Sequence, residues 1–208
     1  MKVGECFATA PDGELEGRVK SWGAKVLSSA TTVDEALWLE AHGVDAVIAQ
    51  GTEAGGHRGM FLSGDVSTQV GTFALLPQIV RAVGVPVVAV GGIEDASGVS
   101  AALALGAAGV QGGTAYLLCF EATTSALHRA ALKSESARHT ALTNVFTGRP
   151  ARGIVNRIIR ELGPMSDVAP EFPLAASAIA PEAQGNTAFS SLWSGQNASG
   201  CVWRLGTG

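Results

Sequence analysis

Four short apolar runs, at residues 24–29, 45–50, 85–90 and 109–117, each end in small or polar residues, and the segments between them have helical character. Runs this apolar predict strands buried on both faces, as in a parallel sheet covered by helices. The intervening segments carry their own start and stop signals. Thr32 and Glu35 make a capping-box pair, Val33, Ala36, Leu37 and Ala41 fall on one face, and Gly43 ends the helix. Leu76, Ile79, Val80 and Val83 repeat the spacing before Gly84, with Pro77 near the helix start, where proline is tolerated. Asp95 can cap a third helix that buries Val99, Ala102 and Leu103 before Gly106. With 47% hydrophobic and 15% charged residues in 208, there is material for one well-buried domain, or one and a fraction.

Two α/β architectures suit this repetition, an open doubly wound sheet and a (β/α)8 barrel. No Gly-x-Gly-x-x-Gly opens a helix after the first strand, which weakens the dinucleotide-binding form of the open sheet. A whole barrel takes eight strand–helix units, typically ~250 residues, and only half that number of units is visible. Past residue 120 the pattern changes. Residues 122–133 read as a helix, 147–153 as a loop and 154–162 as a second helix. Residues 163–184 are rich in proline and alanine, 189–196 form a last ordered piece, and 201–208 lack a period and are expected to be loose. The expected division is therefore a barrel portion over 1–120 and a helical appendage with a loose tail over 121–208.

Residues 49–59, Ala-Gln-Gly-Thr-Glu-Ala-Gly-Gly-His-Arg-Gly, continue from the end of the second apolar run. Such glycines let backbone approach a flat ligand closely and adopt positive φ. His57 is the one side chain there that exchanges a proton near neutral pH, so it is the candidate acid–base group; the competing reading is an ordinary glycine turn with a solvated histidine. Glu53 and Arg58 read as solvated loop charges. The third run is followed by Gly91-Gly92-Ile93, and the fourth contains Gln111-Gly112-Gly113-Thr114. Glycines at two consecutive strand ends leave N–H groups to face an anion, with a helix dipole nearby. In barrels a phosphate site usually follows the last two strands. Gly92, Gly113 and Thr114 are thus candidate phosphate ligands, against the plainer reading of tight turns. The net charge of −4 offers no basic field for nucleic acid. No run of ~18 apolar residues exists to cross a membrane, and Glu5 stands where a signal peptide would need its apolar region. Cys6, Cys119 and Cys201 have neither metal nor disulfide spacing, Cys119 reads as a buried thiol, no metal site is expected, and a reducing, cytoplasmic setting fits. His42 reads as a helix-end residue, His128 and His139 as surface residues, Trp22 and Trp38 as core or interface groups, and Trp193 as either core or ligand contact.

These segments resemble the nitronate monooxygenase family, formerly 2-nitropropane dioxygenase. The likeness rests on residues 50–59, Gly91-Gly92-Ile93 and Gln111-Gly112-Gly113-Thr114, with Lys25-Val26-Leu27-Ser28-Ser29-Ala30, Phe146-Thr147-Gly148-Arg149-Pro150 and Ser191-Leu192-Trp193-Ser194-Gly195-Gln196, and runs from about residue 15 to 199. The glycine segments are shared with FMN-dependent enoyl-acyl-carrier-protein and quinone reductases; the last two segments look more like the nitronate enzymes. The resemblance implies an FMN-binding TIM-barrel fold, present as its C-terminal half (strands 5–8) with a partial helical appendage. It implies FMN as cofactor, with Gln50 and Gly55 beside the flavin and Gly92, Gln111, Gly112, Gly113 and Thr114 around the ring edge and phosphate. It makes His57 the catalytic acid–base residue in the oxidation of alkyl nitronates by dioxygen to a carbonyl compound and nitrite. The alternatives it leaves are an NAD(P)H-dependent flavin reductase and an inactive half-barrel. Implied partners are a small nitronate and dioxygen, with no nucleic acid or membrane, in a homo-oligomer. The family's first four strands, which supply an asparagine to the flavin, find no counterpart in residues 1–11, and the usual closing helix after Gln196 is not apparent.

Overall fold

The computed structural model describes residues 3–6, 13–183 and 185–201. In chain order the elements are β1 (Val3–Cys6), α1 (Gly13–Ser21), β2 (Lys25–Ala30), α2 (Val33–Ala41), β3 (Ala46–Gln50), β4 (Gly56–His57), α3 (Thr72–Ala82), β5 (Val87–Val90), α4 (Ala96–Ala104), β6 (Gly109–Gln111), α5 (Ala126–Leu132), β7 (Thr140–Thr143), β8 (Ala151–Ile154), α6 (Arg157–Leu162) and α7 (Leu174–Ala183). They fall into two compact units. The first comprises Met1–Glu53 with Arg58–Gln111, and the second Ala54–His57 with Gly112–Gly208.

The first unit is α/β. Its sheet has the order β1-β2-β3-β5-β6 with every pairing parallel. The order never doubles back, so the strands step one way across the sheet, without the reversal that defines a doubly wound fold. Ala30, Ala49, Ala89 and Val110 stand in one register row, and all belong to or pack on the main core. That core joins them to Ala36 and Leu39 of α2 and Leu75, Leu76 and Ile79 of α3. The next row, Gln50, Val90 and Gln111, alternates to the opposite face, as strand pleating requires. β1 is a strand the apolar pattern misses, because Val-Gly-Glu-Cys is half polar or glycine.

Several local expectations need correction. Thr32 does cap α2, accepting from Glu35 N at 3.2 Å. The Glu35 carboxylate, however, turns inward to other partners, described below. Leu37 and Ala41 are exposed, and α2 buries Glu35, Ala36 and Leu39 instead. Pro77 lies inside α3 rather than at its start. The carbonyl it cannot reach belongs to Phe73, in the first turn, and Phe73 is exposed. Asp95 caps α4 by accepting from Gly98 N at 2.8 Å, yet Leu103 points to solvent and Ala102 carries the burial. Trp22 is exposed.

The second unit contains the antiparallel sheet β4-β8-β7 and two apolar clusters. One gathers Leu118, Ala131, Leu132, Ala137, Ile154 and Leu192. The other gathers Val145, Phe146, Val155, Ile158 and Ile159. The helix expected from 154 begins at Arg157, because Ile154 is still paired in β8 and Asn156 caps α6. The helix expected from 122 begins at Ala126, after the Ser125 cap. Residues 189–196 contribute a bridge between Gly153 and Trp193. Of the tail expected to be loose, 202–208 lie outside the described residues. Cys119 is buried, and Cys201 Sγ lies 3.1 Å from the Thr114 carbonyl oxygen. Among the described residues no helix is long and apolar enough to cross a membrane, and no cluster of metal-ligating side chains occurs.

Candidate active site

In the first unit, three of the sequence-predicted residues come to one edge of the sheet. Gln50, Val90 and Gln111 are successive register partners at the carboxyl ends of β3, β5 and β6, and Gly92 follows Val90 by two residues. The carboxyl edge is where parallel α/β sheets bind ligands. Gly91 and Gly92 take φ of +120° and +71°, values that favour glycine. Gln50 Oε1 accepts from Gly59 N at 2.7 Å, which fixes its amide. Gly59 is obligatory for a different reason: a Cβ there would lie 2.5 Å from Ser29 Cβ.

The charges read as solvated are built into the structure. Arg58 is 2% exposed; its Nε donates to Gln69 Oε1 at 2.9 Å and its Nη2 to the Gln50 carbonyl at 2.8 Å. Gln69 Nε2 in turn donates to Thr31 Oγ1 at 2.7 Å. Glu35 Oε2 accepts from both Thr31 N and Thr31 Oγ1, and Oε1 accepts from Phe61 N and Leu62 N. A buried polar chain therefore runs Glu35–Thr31–Gln69–Arg58–Gln50. It ties the segment after His57 to the ends of β2 and β3. Glu53 accepts from Thr72 N and Oγ1, capping α3 where Gly71 offers no side chain. Glu94, just past the glycine pair, has an Oε2 that is buried without a hydrogen-bond partner. Burial, and then the neighbouring Asp95 charge, push its carboxyl up to about 7.

In the second unit, His57 sits on a strand rather than in a free loop. It pairs antiparallel with Ala151 of β8. Its Nε2 is 2.9 Å from Thr147 Oγ1, and its ring lies 5.5 Å from that of Trp193, which meets Phe146 edge-on. Burial, and then the Arg149 charge, hold the His57 pKa below the usual imidazole value. Arg149 is itself seated over the Phe172 ring at 4.9 Å. Gly148 takes φ of +82°, and a Cβ there would lie 2.4 Å from Phe172 N, so the Thr-Gly-Arg-Pro turn has little freedom. Gly55 packs against the backbone of Ser194 and Gly195, where a Cβ would come within 2.5 Å of Gly195 N. Gly195 N donates to Thr114 Oγ1 at 2.9 Å. The unit thus brings Gly55 and Thr114 together through Gly195, and His57 to Thr147 and Trp193. Gly112 and Gly113 are exposed. A Cβ at Gly113 would meet nothing within 4 Å, and the Thr114–Tyr116 3-10 turn that it opens has no side-chain cap.

His128, expected on the surface, is half-buried with Nε2 2.9 Å from the Trp193 carbonyl oxygen. His42 does close α2 and stacks on Trp38 at 3.5 Å. Thr147 and Glu94 are not singled out by the sequence, and Glu35 is singled out only as a helix cap. Thr147 lay within a segment that carried the resemblance, so the signal was present there; Glu35 looked like half of a capping box.

The nitronate monooxygenase family model matches residues 5–202. A probable nitronate monooxygenase from Staphylococcus saprophyticus is 41% identical over 194 residues, 90% of this chain and 55% of its own length. One from Staphylococcus aureus strain Newman is 42% identical over 199 residues, 92% and 56% of the two chains. The chain therefore spans a little over half the length of these curated relatives. Among solved structures, nitroalkane oxidase from Streptomyces ansochromogenes superposes with a TM-score of 0.90 at 38% identity, covering 98% of this chain and 60% of that one. FabK from Thermotoga maritima superposes with a TM-score of 0.76 at 29% identity, covering 98% and 63%. A match across nearly the whole described chain, from β1 through the Trp193 segment, places this protein in the nitronate monooxygenase family.

Proposed function

We propose that this chain forms the flavin-bearing C-terminal portion of an FMN-dependent enzyme that oxidises alkyl nitronates or nitroalkanes with dioxygen, giving a carbonyl compound and nitrite. The observation that carries the reading is the seating of His57: paired in a ladder, hydrogen-bonded to Thr147 and kept below the usual imidazole pKa by burial and Arg149. A neutral imidazole held in one place suits removal of the proton α to a nitro group. In this reading residues 1–120 correspond to the C-terminal half of a (β/α)8 barrel and 121–208 to an appendage; the sheet holds five parallel strands rather than the four expected as strands 5–8, because β1 pairs with β2 ahead of them. The undoubled strand order supports it.

The residues fit a flavin mononucleotide. Gly113 opens an uncapped turn with free space where a side chain would be, which suits a phosphate; the α4 N-terminus, by contrast, already holds the Asp95 carboxylate. By the family resemblance, Gln50, Gly55, Gly92, Gln111, Gly112, Gly113 and Thr114 are assigned to the cofactor. Thr114 uses one lone pair for Gly195 N and retains its hydroxyl proton for an anion. The flavin supplies the redox chemistry when bound. His57 takes the substrate's carbon-bound proton, or steadies a nitronate that arrives as the anion. Burial, and then the Arg149 charge, favour the neutral form of that imidazole.

Glycine segments shared with FMN-dependent reductases support a second reading, an NAD(P)H-linked flavin reductase. The test is to purify the chain, read its absorbance for bound flavin, and assay nitrite release from ethylnitronate. Flavin with nitrite release is expected; flavin reduced by NADH or NADPH without nitrite release favours the second reading, and no flavin refutes both. We also propose a cytoplasmic homo-oligomer, since the sheet presents two edges, β1 and β6; a compact monomer by light scattering would count against it.

A further inference from the structure

We propose that His128 is a positioning residue for the His57 site: by donating a hydrogen bond to the Trp193 carbonyl, it holds the Trp193 indole beside the His57 ring. The inference rests on the reading of His57 as the acid–base group and adds what keeps that group shielded.

Both rings meet on one strand. His57 pairs with Ala151 and Trp193 with Gly153, and β7 takes the other edge of β8. His57 and Trp193 therefore line the same edge, two register positions apart, which puts their side chains on one face. Their ring centroids are 5.5 Å apart. Gly153 lets the indole lie close, since a Cβ there would come within 3.1 Å of Trp193 Cε3. His57 belongs to a ladder, whereas the Trp193 segment makes an isolated bridge. Backbone bonds join that segment to β8 from Ile154 N to the Leu192 carbonyl at 2.8 Å and from Ser194 N to the Arg152 carbonyl at 3.3 Å. These use the groups on either side of Trp193, so its own carbonyl turns away from β8. An extended segment at a sheet edge leaves such a carbonyl to water. Here His128 Nε2 meets it at 2.9 Å.

A carbonyl only accepts, so the proton of the neutral His128 imidazole is on Nε2. Burial holds the His128 pKa below the usual imidazole value, against the raising effect of that bond, so the neutral ring makes it. The helix behind His128 is firmly seated. Ser125 Oγ caps α5 by accepting from His128 N at 3.2 Å. Arg129, the next residue, donates to the carbonyls of Leu118, Cys119, Ala122 and Thr124 at 2.6–3.0 Å. Ala131 and Leu132 pack with Leu192 in one apolar cluster. α5 is thus tied to the chain that precedes it, and His128 extends that hold to Trp193. Without the bond the Trp193 carbonyl loses its donor, the indole is free to draw back, and His57 meets more water.

The test reads the His57 ring directly. The chain has four histidines, so the ring signals of His57 and His128 can be assigned by NMR with His57→Asn and His128→Gln, and then titrated. His128→Leu removes the donor; His128→Gln keeps an N–H donor in the place of Nε2. Both delete the same titratable group and both leave Arg149 in place, so a difference between them reports the position of the indole and not a lost charge. In wild type His57 should titrate below the usual 6.5. His128→Gln should leave it there. His128→Leu should move it up toward 6.5, since burial is the larger cause of its depression. With nitroethane as substrate, His128→Leu should lower kcat/KM roughly ten- to hundredfold, and His128→Gln should recover most of the loss. An unaltered His57 titration in a folded His128→Leu overturns the proposal, as does a wild-type His128 with its proton on Nδ1 in long-range 1H–15N spectra. If His128→Leu does not fold, His128→Asn, polar but too short to reach the carbonyl, takes its place with the same expectation. Absence of any nitronate turnover in wild type would sink the functional reading instead, and the titrations would still judge His128.

Discussion

Replacing Glu35 by glutamine should destabilise the first unit by about 3 kcal/mol. Glu35 is 1% exposed and is almost isosteric with glutamine, so packing is unchanged and the effect is one of hydrogen bonding. Each carboxylate oxygen accepts two bonds: Oε2 from Thr31 N and Oγ1 at 2.7 Å each, and Oε1 from Phe61 N at 2.7 Å and Leu62 N at 3.2 Å. An amide must turn one of these ends into a donor. Facing Phe61 and Leu62, its NH2 opposes two backbone amides. Facing Thr31, it opposes one, since the hydroxyl can turn to accept. The second arrangement is cheaper, yet it leaves Thr31 N without an acceptor, at about 1–3 kcal/mol. It also converts the remaining charge-assisted bonds to neutral ones, each weaker by roughly 0.5–1 kcal/mol. Against this, a buried charge is no longer desolvated, which returns part of the loss. Urea unfolding and a melting curve are the assays. A fall in Tm of roughly 6–12 °C is expected for a chain of this length. A variant within ~0.5 kcal/mol of wild type would refute the claim that this carboxylate holds the segment after His57 in place.

His57→Asn should lower turnover roughly 10²–10⁴-fold with flavin retained, and nitroethane should suffer more than ethylnitronate, since only the former must lose a carbon-bound proton; equal losses would point to anion binding, and no loss would remove His57 from the chemistry. Gly113→Asp should abolish flavin retention while leaving the melting temperature nearly unchanged, because Gly113 has an ordinary φ of −113° and open space at its Cβ; retained flavin would dismiss Gly113 as a phosphate ligand. Glu94 gives a pH signature. Its folded pKa of about 7 lies above the ordinary 4.5, so the folded state holds its proton more tightly and stability is lost as pH rises through that window. His57 and His128, both shifted downward by burial, act in the opposite sense below pH 6.5, so the comparison must be between proteins: Glu94→Gln should exceed wild type in stability at pH 8 and match it at pH 4.5, and identical urea midpoints at both pH values would show Glu94 to be solvated.

The sequence revealed what depends on local pattern. Strands of consecutive apolar residues and helices bounded by Thr32, Asp95 and terminal glycines were legible because cap and period are written within a few neighbouring residues. β1 was not, since Val-Gly-Glu-Cys carries no apolar run and becomes a strand only through pairing with β2. The inward carboxylate of Glu35 was hidden for the same reason: two of its four donors come from Phe61 and Leu62, far along the chain. Arg58 looked like a loop charge because its acceptors, Gln50 and Gln69, are recognisable as partners only once the loop has folded back. His57 stood out by residue type and glycine neighbours, but nothing local announced that it would lie in a ladder with β8 or that Thr147 would meet its ring.

The second unit is not a continuous stretch of chain: it borrows Ala54–His57 from the middle of the first. A genetic crossover at residue 111 between two homologues would therefore transplant Thr147, Arg149 and Trp193 from one parent while the histidine they surround came from the other. A library of chimeras built on that junction should be enriched, among its functional members, for parents that agree over residues 54–57 and 147–152. Where the parents differ, a four-residue patch exchanged along with the C-terminal segment should restore function. Inherited variation in the two segments is thus tied together, although some ninety residues separate them in sequence, and neither can drift alone without breaking the strand that carries the imidazole.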